Sequence, residues 1–131
     1  EVIVTPYTAG SKRNPEGSMF DAFAKQDVGF IGIKPFASGA VFKSRGQPDS
    51  STKEEDDERA RMVLRYVLSC DELTAAIPGL ITVDQVKNAA AAVRERREFD
   101  VSEQRKYEEM TRDMWANLPR DYGWLKDWEW V

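Results

Sequence analysis

"VGFIGIKPFASG", residues 28–39, decides how the rest of the chain reads. Its first six residues are apolar or glycine and do not alternate with polar ones. Such a run suits a strand covered on both faces, as in a parallel sheet. It then meets Lys34-Pro35 and a Ser38-Gly39 turn. A core strand needs neither a charge nor an open backbone at its end. An anionic ligand uses both, because phosphates favour free backbone N–H groups at turns and helix starts.

Working outward, "EVIVTPY" carries Val2, Ile3, Val4 and Thr5, a short strand stopped by Pro6. Asn14-Pro15 reads as an N-cap with proline at the first helical position. The expected helix is "PEGSMFDAFAKQ", with Phe20, Phe23 and Ala24 on one face. Downstream, "FKSRGQPDSSTK" is a polar loop containing Gly46 and Pro48. Ser51-x-x-Glu54 is a capping box for a long helix with Ala60, Val63, Leu64, Val67 and Leu68 as its buried stripe. "LTAAIPG" is a third strand ending in the turn Pro78-Gly79. Thr82-x-x-Gln85 caps a helix whose expected inner face is Val86, Ala89, Ala90 and Val93. Asp100-x-x-Glu103 caps a last helix to about Asn117, and a tail holds Trp124, Trp128 and Trp130.

The order strand–helix three times over predicts βαβ units around a parallel sheet. Three strands alone leave two open edges and a thin core. The expectation is that further strands lie upstream of Glu1, with another chain completing the sheet as the alternative. The 131 residues carry a net charge of -4, which argues against a nucleic-acid partner. The sequence has no histidine, the commonest general base and metal ligand, and its one cysteine, Cys70, excludes an internal disulfide or a thiolate metal cluster. A reducing, cytoplasmic setting fits. No apolar run approaches the ~20 residues of a membrane span.

Taken together, "VGFIGIKPFASGAVF" and "RMVLRYVLSCDELTAAIPGLITVDQVKNAAAAV" resemble the C-terminal part of aldo-keto reductases, and "YGWLKDWEWV" is similar to the tail of a bacterial oxidoreductase branch of that family. The resemblance runs from Val2 to about Arg97. It implies an α/β chain: the last three βα units of a (β/α)8 TIM barrel over residues 1–100. Residues 101–131 would be an extra helix and tryptophan-rich tail packing on the barrel. It also implies NAD(P)H-dependent carbonyl reduction by hydride transfer. The family's catalytic tyrosine, aspartate, lysine and histidine lie in the first half of the barrel, so no catalytic residue and no metal ligand is assigned here.

What the resemblance assigns is cofactor contact, to NADP or NAD. The loop after "VGFIGI" maps to the pyrophosphate through Lys34, Phe36, Ser38 and Gly39. The loop and helix after "LTAAI" map to the adenosine end through Ile77, Pro78, Gly79, Gln85 and Asn88. Four positions depart from the family pattern. Val4 stands where a glutamine holds the nicotinamide amide, and Ile33 where an aromatic ring stacks on it. Gly79 and Gln85 replace the basic residues that grip the 2′-phosphate of NADP, with Lys87 near enough to compensate in part. The expected partners are a nicotinamide dinucleotide and the upstream barrel half. The alternative expectation is a free-standing, truncated fragment that self-associates and has no activity. A flavodoxin-like sheet is the third reading, weakened by the lack of a Gly-rich loop after the first strand.

Overall fold

The computed structural model describes residues 1–12, 16–45, 47 and 51–128. Three strands, β1 (Val2–Pro6), β2 (Gly29–Ile33) and β3 (Leu73–Ile77), form one parallel sheet in the order β1-β2-β3. The helices are α1 (Met19–Lys25), α2 (Lys53–Val67), α3 (Val83–Arg94) and α4 (Val101–Ala116). The chain is therefore mixed α/β, with "VGFIGI" as the central strand. Among the described residues no helix is long and apolar enough to cross a membrane.

Register and burial divide the sheet into unlike faces. Phe30 and Gly32 of β2 are buried, as is Thr5 beside Gly32 on β1. Phe30 meets Tyr7 at 5.5 Å and the α1 ring Phe20 at 5.1 Å, and Trp128 of the tail stands edge-on to Phe20 at 5.8 Å. Val63 and Val67 of α2 join the same core. Alternate residues point the other way. There Val2 and Val4 are 59% and 58% exposed, and Ile77 is 53% exposed. Ile31 and Ile33 lie between them in the register.

Two helix starts differ from expectation. α1 begins at Met19, not at Pro15. Ser18 is its cap and accepts a hydrogen bond from Asp21 N at 3.3 Å. Gly17 sits at φ 75, a left-handed conformation that no helix continues through. Asn14 and Pro15 lie outside the described residues, as do Gly46, Pro48 and Trp130. α2 begins after Thr52, and the Ser51–Glu54 box is not made. Asp56 prevails there: it accepts from Thr52 Oγ1 at 3.3 Å, Lys43 N at 2.7 Å, Ser44 N at 3.1 Å and the Ser44 hydroxyl. This buried carboxylate ties the loop to the helix. In α2 Val63, Leu64 and Val67 are buried as expected and Ala60 and Leu68 half-buried, while Met62 and Arg65 widen the stripe.

The expected inner face of α3 is a clearer correction. Val86, Ala90 and Val93 are exposed, Val93 by 66%. The inward residues are Gln85, Asn88, Ala89 and Ala92. Hydrogen bonds decide this. Asn88 accepts from Arg61 Nη1 at 2.6 Å and donates to the Asp57 carbonyl at 2.9 Å, which locks α3 onto α2 by its polar side. The boxes at Thr82 and Asp100 are both made as expected.

α4 is held by Arg65, only 5% exposed. Its guanidinium pairs with Glu103 at 2.8 Å, donates to the carbonyls of Arg96 and Glu98, and lies over the Phe99 ring. Tyr107 of α4 donates to the Ala9 carbonyl at 2.6 Å. Leu125 is buried and Trp115 and Trp128 pack against the core, whereas Trp124 is 49% exposed.

Candidate functional site

Parallel pairing puts the C-terminal ends of β2 and β3 side by side, so the loops that follow them face one space. The first loop is a tight, unusual turn. Lys34, Ala37 and Ser38 have φ of 56, 47 and 56, and Gly39 has φ 84. Ala37 N donates to Lys34 O, and Gly39 N to Phe36 O, both at 2.9 Å. A Cβ built on Gly39 would meet the Arg45 carbonyl at 3.2 Å, so glycine there lets the loop close on itself. Among the described residues the Ser38 N–H has no hydrogen-bond partner, and Ser38 is exposed.

Between the two loops lies a cavity of about 370 Å³. Seven of the nine expected contacts line it: Lys34, Phe36, Ser38, Gly39, Gly79, Gln85 and Asn88. Pro78 and Ile77 do not, while Leu80, Ile81 and Thr82, just beyond Gly79, do. The cavity is large enough for part of a dinucleotide, since small-molecule sites fall in the range of about 300–1,000 Å³.

The lining residues divide into committed and available groups. The Gln85 side chain completes the α3 cap, accepting from Ile81 N at 2.6 Å and Thr82 N at 3.3 Å. Asn88 is engaged by Arg61 and Asp57, as above. Both shape the wall: the Gln85 amide oxygen and both polar groups of the Asn88 amide already have partners. Phe36 packs on Phe42 at 5.0 Å, an apolar slab at the loop side. Lys53 pairs with Asp57 at 2.6 Å, and that hydrogen bond raises its pKa, keeping it charged. Lys34 lies 4.7 Å from the centroid of the Tyr122 ring, which brings the C-terminal 3-10 turn (Arg120–Lys126) to the cavity's edge.

The sequence reading did not single out Arg45, Lys53 or Phe42. They stand in or beside a polar loop, where periodicity carries no signal. The one clue was the turn chemistry around Gly46. Lys87 does not line the cavity; it lies 3.9 Å from Asp84 and its side chain is 75% exposed. Compared with known proteins, the chain matches no family model, no curated protein and no solved structure.

Proposed function

We propose that this chain is the C-terminal part of an aldo-keto-reductase-like oxidoreductase and supplies the cofactor wall of a (β/α)8 barrel. The carrying observation is the cavity at the carboxyl ends of β2 and β3, lined by seven residues named from sequence resemblance alone. In barrels of parallel strands, ligands bind at this end. The Ser38-Gly39 turn and Lys34 would take the pyrophosphate, with the unpartnered Ser38 N–H as donor and the lysine as charge. Gln85 and Asn88 act indirectly: they hold the start of α3 and the α2–α3 seam that form the adenosine side. Bound nicotinamide would supply the hydride, and the acid group would come from the upstream half.

The test is calorimetric titration of NADPH and NADH into the chain. Saturable binding of at least one is expected, weakened by Lys34→Ala. No binding of either overturns the reading.

A second reading rests on the exposed apolar face of Val2, Val4 and Ile77. A surface of this kind marks an interaction site. The chain would then be a self-associating fragment without activity. Sedimentation separates the two: a dimer that binds no dinucleotide favours the second reading, and a monomer that binds one excludes it.

A further inference from the structure

We infer that Tyr122, on the C-terminal tail, is a positioning residue for the cavity: its ring holds the Lys34 ammonium at the edge where the pyrophosphate would sit. This rests on the dinucleotide reading above. Lys34 lines the cavity, and its Nζ lies 4.7 Å from the centroid of the Tyr122 ring. Among the described residues that ring is the partner of the ammonium, and Lys34 makes no ion pair and no side-chain hydrogen bond there. The carboxylates on the same wall are taken. Asp57 pairs with Lys53, and Asp56 accepts four hydrogen bonds from Lys43, Ser44 and Thr52. The charge of Lys34 is left for a ligand.

The ring is held from both sides. Upstream, Leu118 packs on the core, and the Trp115 indole covers Gly10 so closely that no Cβ would fit there. Downstream, Leu125 is buried and Trp128 stands edge-on to Phe20. Within the turn, Tyr122 N donates to Pro119 O at 2.8 Å. Gly10 adjoins Ala9, whose N–H bonds to Pro35 O and whose carbonyl accepts from Tyr107 of α4. The tail and the backbone around Lys34 are thus seated on one support. A lysine has a long flexible stem, and fixing it costs entropy when an anion binds. A ring face attracts a cation without adding a counter-charge, and the ammonium can still donate away from the ring. Tyr122 lowers the entropic cost and leaves the charge intact. An aspartate in its place would hold the lysine too, but would cancel the charge the ligand needs.

The experiment is calorimetric titration of NADPH and NADH into the full chain and into Tyr122→Leu, Tyr122→Phe and Lys34→Asn. Leucine keeps bulk without a ring face, phenylalanine keeps the face, and asparagine tolerates the left-handed backbone at Lys34, φ 56. Tyr122→Leu should weaken the bound dinucleotide by ~3–10-fold, and Tyr122→Phe should restore most of the loss. Adding Tyr122→Leu to Lys34→Asn should weaken binding no further, a dependence that a purely structural role would not show. A second readout needs no ligand. The protons on Lys34 Cε should carry a ring-current shift in the NMR spectrum, kept in Tyr122→Phe and lost in Tyr122→Leu. If the unaltered chain binds and Tyr122→Leu binds equally well, the Tyr122 assignment falls and the dinucleotide reading stands. Tighter binding by Tyr122→Leu also overturns it, because the ring would then mask the lysine. An equal loss with and without Lys34 overturns it as well, because Tyr122 would then serve only the folding of the tail. Binding of neither dinucleotide by the unaltered chain overturns both readings.

Discussion

Both faces of the sheet carry apolar side chains, and they are differently covered. On one, Phe30 is fully buried among Tyr7, Phe20 and Phe23. On the other, Val2, Val4 and Ile77 remain more than half exposed. Residues one position apart on the same strand thus carry unequal shares of stability. Hydrophobicity sets what a strand can bury, and the neighbouring elements set what it does bury. The continuous pattern of β2 is written for two covers, and the described residues supply one.

The sharpest way to break this contrast is Phe30→Ala, which should lower the unfolding free energy by about 3–5 kcal/mol in a urea titration. Ile31→Ala, one residue along and on the other face, should cost no more than half of that. Equal losses would mean that the open face is covered in solution.

Next in size is Arg65→Met, which leaves the carbonyls of Arg96 and Glu98 without their donor. A loss of about 2–3 kcal/mol is expected, below the figure for a fully buried pair because Glu103 keeps contact with water. The same variant has a pH signature. The Arg65 hydrogen bond holds Glu103 below the usual carboxylate range, and the Glu103 N–H, with Arg96, does the same for Asp100. Carboxylates depressed in the folded state stabilise it above their unfolded pKa values, and that contribution is lost as pH falls through the folded ones. Stability should therefore decline below about pH 4. The decline should be shallower in Arg65→Met, as followed by chemical melts across that range.

Thr82→Ala removes the α3 cap and should cost about 1 kcal/mol in the same urea assay. The smallest effect belongs to the outer side of α3. Val86→Ser should stay within about 0.5 kcal/mol in dilute solution. A larger loss that grows with protein concentration would show that this side is buried between copies.

What was legible in the sequence followed local rules. β2 declared itself by its continuous run, and the Thr82 and Asp100 boxes by their spacing, because a cap is satisfied within four residues. The failures needed distant partners. Val86 and Val93 look like core residues, but Asn88 bonds to Arg61 and Asp57 on another helix and turns that side inward. Ser51 has a good capping pattern, but Asp56 gathers the loop from Lys43 and Ser44 and moves the helix start. The Lys34–Gly39 wall was readable because a strand end, a charge and a glycine coincide in six residues. Arg45 was not, because its position depends on how a polar loop folds back on Gly39.

Pairing between the first two strands does not stop where β2 ends. Tyr7 N donates to Ile33 O at 2.9 Å and Ala9 N to Pro35 O at 3.0 Å, so Lys34 is flanked on both sides by ladder hydrogen bonds. Its left-handed backbone is clamped before any anion arrives. The entropy of fixing that turn is lost during folding, which leaves little to lose on binding. A ligand at this wall would meet a rigid receptor, and mutations that loosen the Tyr7–Ala9 segment would weaken binding without touching the cavity.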